Sequence, residues 1–459
     1  MTSLGRFGQL TLFLLVTSAL GGGAGCSTGS GDDSDDAAAA GTSNAGTSNA
    51  GSAGTDPGSG GSGNSGGTAG GGTAGGGGNA GDPPELGTQI DADDPGITYS
   101  GRGDFSDAAR PRFSAPGAYV KARFEGTAVS VKFEDQFRYG KWNYFYVIVD
   151  PGTPEERVVK IMPEAGKTEY AAHWGLEPGE HTVVFVKRTE SSIGYVDFLG
   201  FGFDGPVLEA PEKPARKIEI IGDSISCGVG DDVTPVEERP PGVTFDMLCT
   251  EQVWGVPYHN AYKTFGAYSA RALEADYQIA AVSGIGLIRT YSSKEADDTR
   301  PLPEVYDSVF LEDEASPEWD PKDFVPDVVL IALGTNDFSP GDDPAQHPRM
   351  EVDTFVDAYI EFLDKLMSDD YYPDAEFFAL GSPILGDNFP DESYTYRQDL
   401  ETAIAAVEAH YAGEGKDNVH ALPIHKVIGR GCTKHPSAAE QLEIAEEDVI
   451  PAVREVMGW

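Results

Sequence analysis

The apolar residues follow two different rhythms, with a boundary near residue 210. Between about 95 and 205 they alternate with polar residues. Tyr119-Val120-Lys121-Ala122-Arg123-Phe124, Val129-Ser130-Val131-Lys132-Phe133, Tyr144-Phe145-Tyr146-Val147-Ile148-Val149 and Thr182-Val183-Val184-Phe185-Val186 carry the period of two that predicts strands. Glu125-Gly126 and Asp150-Pro151-Gly152 read as turns between them. No helix-period segment intervenes, so residues 85–210 are expected to form an all-β sandwich of jelly-roll type.

From about 214 onward strands and helices alternate. Lys217-Ile218-Glu219-Ile220-Ile221, residues 278–282, 327–333 and 376–380 read as buried strands. Residues 260–274, 400–410 and 438–457 read as helices. Phe355, Tyr359, Phe362 and Leu366 stand at i, i+4, i+7 and i+11, one face of a further helix. This alternation predicts an α/β domain over 211–459, with a parallel sheet covered on both faces. Open sheets of this kind place their chemistry just beyond the C-terminal ends of the strands.

The first 84 residues belong to neither domain. Arg6 and the short apolar run 10–20 read as a signal peptide over 1–26, since the run is too short to span a membrane as a helix. It ends in Gly23-Ala24-Gly25-Cys26, which resembles a bacterial lipobox with Gly23 where Leu is usual. Cys26 is therefore the expected lipidation site, and the protein an expected lipoprotein of the cell envelope, with simple secretion as the alternative. Residues 27–84 are Gly, Ser, Thr, Asn and Ala with scattered Asp and no large apolar residue to bury, the composition of a flexible tether. The only membrane contact expected is through the lipid.

The formal net charge of −43 repels a phosphate backbone and makes nucleic acid a poor partner. It disfavours pectin in the same way, but not a neutral polysaccharide. If Cys26 carries lipid, Cys227, Cys249 and Cys432 remain, and which two of them pair is open. No spacing of Cys or His suggests zinc, and no cofactor is expected. The chain is expected to act as a monomer.

Candidate chemistry lies at the strand ends. Gly222-Asp223-Ser224 closes the first strand of the second domain. Ser283-Gly284-Ile285-Gly286, Gly334-Thr335-Asn336-Asp337 and His435-Pro436-Ser437 follow in order. This order resembles the SGNH (GDSL-type) hydrolases, named for the Ser, Gly, Asn and His of one site. Lys187-Arg188-Thr189-Glu190 with Gly200-Phe201, Tyr262-Lys263-Thr264-Phe265-Gly266-Ala267-Tyr268 and Gly431-Cys432-Thr433-Lys434-His435-Pro436 narrow the resemblance to carbohydrate esterase family 2, whose members remove O-acetyl groups from xylan, mannan or related sugars. The resemblance implies a flavodoxin-like SGNH hydrolase domain behind a jelly-roll domain.

By that resemblance Ser224 is the nucleophile and His435 its base. The oxyanion donors are the backbone N–H groups of Ser224 and Gly284 and the side chain of Asn336, with Gly286 the alternative to Gly284. Pro436 is expected to open a helix, placing His435 near a positive helix end that keeps the imidazole neutral. The chain departs from the family at the third position. SGNH enzymes usually carry Asp three residues before the His and family-2 esterases often carry it two before, where this chain has Cys432 and Thr433. A dyad with a carbonyl orienting the ring fits, and the orienting group stays open. Trp254 and Trp319 are candidates for stacking on sugar, with packing as the alternative. Arg188 and Glu190 are expected to form a cross-strand ion pair, with ligand contact as the alternative. The rival functions are a lipid or aryl esterase on the same scaffold, and a surface glycan-binding protein with a decayed hydrolase half.

Overall fold

Residues 83–137, 140–234, 249, 256–291, 300–341, 347–386 and 395–459 are described by the computed structural model. The expected leader, Cys26 and nearly all of the expected tether lie outside the described residues, as does Trp254.

The alternating region forms eight antiparallel strands: β1 (Thr88–Asp91), β2 (Ile97–Ser100), β3 (Arg112–Phe113), β4 (Tyr119–Phe137), β5 (Phe145–Val149), β6 (Arg157–Ile161), β7 (Glu169–Lys187) and β8 (Gly194–Phe203). β4 and β7 are 19 residues each and change partners along their length. The start of β4 pairs with β2 and the end of β7, and the rest of β4 pairs with β8 and the start of β7. Phe133 is not a sheet neighbour of β5, yet its ring lies 4.6 Å from Phe145 and 5.0 Å from Phe185, which closes an aromatic core between two layers.

The expected turn at Glu125-Gly126 is instead a bulge inside β4, with the register shifting between Gly126 and Ala128. Asp204 explains why the strand continues. Its carboxylate accepts the N–H groups of Thr127 (2.8 Å) and Ala128 (3.0 Å), satisfying the donors that the bulge removes from the ladder.

The second domain is a five-stranded parallel sheet in the order β10-β9-β11-β12-β13, formed by β9 (Arg216–Gly222), β10 (Ala275–Ala281), β11 (Val328–Ala332), β12 (Glu376–Leu380) and β13 (Val419–Leu422). That order, 2-1-3-4-5 within the domain, is the flavodoxin-like one. Among the described residues the α-helices are α1 (Phe265–Ala272), α2 (Leu302–Val305), α3 (Thr335–Phe338), α4 (Val352–Leu366), α5 (Tyr396–Gly413), α6 (Ala438–Ile444) and α7 (Ile450–Met457). Phe355, Tyr359, Phe362 and Leu366 are all buried on α4, as their spacing predicts. The expected helix over 438–457 is interrupted by a π-turn at Ala445–Val449. One core packs Val329, Ile331 and Phe377 against α4 and α5, and another packs Ile220, Leu330 and Phe378 against α1, α6 and α7.

The two domains share that second core, because Tyr119, Tyr146, Val184 and Val186 of the β-domain join it. A buried ion pair also crosses the boundary: Arg102 Nη2 donates to Glu219 Oε1 at 3.2 Å. Tyr306 Oη (2.7 Å) and Gln278 Nε2 (2.8 Å) also donate to the Glu219 carboxylate. This explains a glutamate inside an apolar strand, since removing either charge would strand the other at a cost of about 3–5 kcal/mol. Arg102 is fully buried at this boundary.

Candidate active site

β9, β10 and β11 end level with one another: Gly222 stands in register with Ala281 on one side and Ala332 on the other. The segments that leave this edge carry Ser224, Gly284 and Asn336. The chain turns sharply after Gly222, with Asp223 Oδ1 accepting the Ile225 N–H (2.9 Å) and Ser224 O accepting the Val229 N–H (3.1 Å). From Gly222 to Gly230 only Ser224 is not buried. The turn therefore lifts one hydroxyl out of the core. Burial, reinforced by the charge of Asp337, pushes the Asp223 carboxyl up to about 7.

His435 arrives from the other end of the chain. Its Nε2 lies 2.7 Å from Ser224 Oγ. Its Nδ1 lies 3.1 Å from the Cys432 carbonyl oxygen and 2.8 Å from Thr433 Oγ1. A carbonyl only accepts, so the Nδ1 side must carry the proton. Thr433 Oγ1 donates its own hydrogen to Cys432 O (2.7 Å) and is left as a second acceptor for that N–H. Nε2 is then a bare acceptor facing the serine hydroxyl, the tautomer required of a base. The orienting group left open by the sequence is this carbonyl together with the Thr433 hydroxyl.

The loop holding these groups is tightly tied. Cys432 pairs with Cys249 in a disulfide, while Cys227 is a buried free thiol. Cys432 N–H donates to Gly230 O (2.9 Å), and a Cβ on Gly230 would stand 2.3 Å from that of Cys432. Thr433 and Lys434 both adopt left-handed backbone, at φ 55° and 64°. Such conformations cost non-glycine residues, most of all a β-branched one, and persist where the surroundings enforce them.

Pro436 does not open the helix as expected. Ser437 is the N-cap of α6 and forms a capping box with Glu440. Burial, rather than the helix end, is the main influence that holds the imidazole below its usual range, against the opposing pull of Cys432 O, Glu190 and Thr433.

Gly284 lies at φ 78°, and among the described residues a Cβ there would find nothing nearer than 3.9 Å. Gly286 is buried, and a Cβ on it would strike Asp337 Oδ2 at 2.5 Å. Of the two glycines, Gly284 faces open space. Asn336 is buried on α3, and its Nδ2 donates to Ile285 O (2.6 Å) and, at a longer 3.3 Å, to Asp223 Oδ2. Asp337 holds the glycine-bearing loop, accepting the N–H groups of Leu287 (2.9 Å), Ile288 (2.8 Å) and Arg289 (3.2 Å).

Trp319 requires a correction as a sugar-stacking candidate. It is 5% exposed among Val309, Phe310 and Phe324, with the Arg102 guanidinium 4.8 Å from its ring, so no face is left for a sugar. The expected Arg188–Glu190 pair is also absent. Arg188 donates to Asp232 Oδ2 at 2.6 Å and lies over the Tyr146 ring, while Glu190 turns to the Ser283 N–H. Sequence reasoning noted Glu190 but missed this placement, because its partner lies 93 residues away in the other domain.

Fold and site together define a hydrolase of the GDSL type: a serine–histidine pair at the C-terminal edge of a flavodoxin-like sheet. Residues 220–439 match the GDSL-like Lipase/Acylhydrolase family, and residues 99–211 match the carbohydrate esterase 2 N-terminal domain. The structure of a family two carbohydrate esterase from Clostridium thermocellum superposes with a TM-score of 0.65 and 31% identity, covering 79% of this chain and all of that one. The cellulase/esterase CelE of Acetivibrio thermocellus is 33% identical over 374 residues, which is 80% of this chain but 40% of CelE. An acetylxylan esterase / glucomannan deacetylase of Cellvibrio japonicus is 27% identical, over 81% of this chain and 91% of that protein. The chain belongs to carbohydrate esterase family 2, a family of carboxylic ester hydrolases.

Proposed function

We propose that the protein is an exported serine esterase that removes O-acetyl groups from a neutral plant-type polysaccharide, acetylxylan or acetylated mannan. The observation that carries this reading is the 2.7 Å contact between Ser224 Oγ and His435 Nε2, on a ring whose other nitrogen is tied to a carbonyl. Ser224 Oγ attacks the acetyl carbon while His435 Nε2 takes its proton. The imidazolium then gives that proton to the departing sugar oxygen, which leaves as the free hydroxyl; His435 next takes a proton from the water that attacks the acetyl-enzyme and returns it to Ser224 Oγ as acetate leaves.

The developing oxyanion is met by the N–H groups of Ser224 and Gly284 and by the Asn336 amide. Each such donor contributes about 2.7–4 kcal/mol. The Asn336 N–H that reaches Asp223 at 3.3 Å makes the weaker of its two bonds, and it is the one released to the substrate.

The substrate assignment is supported by the Cellvibrio japonicus relative, named for acetylxylan and glucomannan, and by the Clostridium thermocellum structure, which was solved with cellohexaose. The net charge of −43 favours a neutral chain over pectin. Export and a lipid anchor on Cys26 are supported by the leader pattern and by the Cys249–Cys432 disulfide, a bond typical of oxidising compartments.

The test is acetate release from acetylated xylan and acetylated glucomannan, beside p-nitrophenyl acetate and butyrate. Turnover of the polysaccharides, with acetate preferred over butyrate, is expected. Activity on butyrate alone would favour a lipid or aryl esterase, and no turnover with retained glycan binding would favour a decayed site.

A further inference from the structure

Glu190 stands in the connection between β7 and β8, yet its carboxylate serves the other domain. Oε2 accepts the Ser283 N–H at 3.1 Å. The connection is anchored so that this reach is not a loose one. Lys187, fully buried, donates from Nζ to the carbonyls of Thr189 and Glu190, both at 2.8 Å. Ser191 Oγ donates to Ala281 O at 3.3 Å, at the end of β10. Glu190 itself is 7% exposed.

The consequence falls on the next peptide along. The Gly284 N–H belongs to the unit that joins Ser283 to Gly284. Such a unit can flip about ψ of the first residue and φ of the second, and a glycine offers little steric resistance. Here both neighbouring units are held. The preceding unit is held through Ser283 N–H by Glu190, and the following one through Gly284 O, which accepts the Tyr291 N–H at 2.8 Å. With both held, the α-carbons at the two ends of this unit are fixed in place, so the Gly284 N–H is offered from one position at the edge of the site.

We propose that Glu190 is a positioning residue: by holding Ser283 N–H from the β-domain, it fixes the peptide that presents the Gly284 N–H to the substrate oxygen. The proposal rests on the esterase reading of the same site. It gives the β-domain a part in the chemistry, because an oxyanion donor works only when it is already aimed before charge develops. A donor that must first be turned surrenders part of its stabilisation of the transition state, which lowers kcat and leaves ground-state binding nearly unchanged.

Two substitutions separate the acceptor from the bulk. Glu190→Gln keeps an oxygen that can take the Ser283 N–H, whereas Glu190→Met keeps the length without it. With p-nitrophenyl acetate, Glu190→Met is expected to lose about 10–100-fold in kcat, with KM within about twofold, and Glu190→Gln to stay within about threefold of the parent kcat. The thiono analogue of the ester supplies a readout that a merely structural role would not move. Its sulfur is a poor hydrogen-bond acceptor, so the parent's preference for the oxygen ester reports the donors. That preference should shrink in Glu190→Met and persist in Glu190→Gln.

Parental kcat in Glu190→Met, an equal fall on both esters, or a Gln variant as damaged as the Met variant would overturn the proposal. If Glu190→Met does not fold, as read from its melting curve, Glu190→Gln decides alone: retained kcat and retained oxygen preference support the proposal, and a loss of about tenfold or more overturns it. Ser224→Ala measured alongside separates the two levels, since turnover retained there would remove the esterase site itself rather than the role of Glu190.

Discussion

The Cys432 carbonyl oxygen lies 3.1 Å from His435 Nδ1, where a serine triad would present a carboxylate. A carbonyl fixes the tautomer and the ring orientation but brings no net negative charge to the imidazolium. The Thr433 hydroxyl, 2.8 Å from the same nitrogen, is the natural place to supply one.

Thr433→Asp is therefore expected to equal or exceed the parent in kcat/KM. Asp also tolerates the φ of 55° at this position better than a β-branched residue does. A carboxylate beside Nδ1 favours the protonated ring, so the acid limb of the pH–rate profile should move to higher pH. A profile that moves to lower pH, or a kcat/KM below one-tenth of the parent (an order-of-magnitude criterion), would show that the new side chain does not reach the ring.

In the parent the limb should lie low. Burial keeps the imidazole below its ordinary value of 6.5, and the base is competent only when neutral. As pH falls through the depressed value, His435 takes up a proton and activity is lost. The acid half-point of kcat/KM for p-nitrophenyl acetate should thus fall below pH 6.5. A half-point above 6.5 would contradict the assigned environment.

Asp337 and His435 should separate cleanly. Asp337 holds three backbone N–H groups of the Gly284 loop, whereas His435 bonds to Ser224, Cys432 and Thr433. Asp337→Asn is expected to lower the melting temperature and to cost about tenfold or less in kcat, whereas His435→Ala should cost on the order of a thousandfold or more. Equal collapse in the two variants would mean that Asp337 acts on the histidine.

The disulfide joins residues 183 apart and ends on the residue whose carbonyl orients the base. Cys249→Ser should cost about 2–4 kcal/mol in stability by denaturant titration. It should also lower kcat, because the left-handed Thr433-Lys434 turn loses an enforcing tie. Unchanged unfolding midpoints with and without reductant in the parent would rule out this linkage.

Much of this arrangement is legible in the sequence, and the parts that are not share a physical cause. Phe355, Tyr359, Phe362 and Leu366 announce their helix because a helix repeats locally. Ser224 and His435 can be singled out because each sits beside a local punctuation, Ser224 just after the end of β9 and His435 just before the N-cap of α6. The Glu125-Gly126 bulge reads as a turn because Asp204, which satisfies it, comes 78 residues after Gly126 in the chain, counting from the residue numbers. Glu190 reads as half of an ion pair because nothing near it in the sequence points to Ser283. Trp319 shows only that it is aromatic, and its burial against Arg102 is a product of the domain interface.

The central claim is that Ser224 carries the acetyl group between two half-reactions, with His435 as its base. The most direct measurement is mass spectrometry of protein quenched during turnover of p-nitrophenyl acetate, with peptide mapping, in the parent and in Ser224→Ala. The account predicts an acetyl group on the peptide containing Ser224 in the parent, and neither acetyl group nor turnover in a Ser224→Ala protein that melts like the parent. An acetyl group mapped elsewhere, or turnover near the parent level without Ser224, would contradict it.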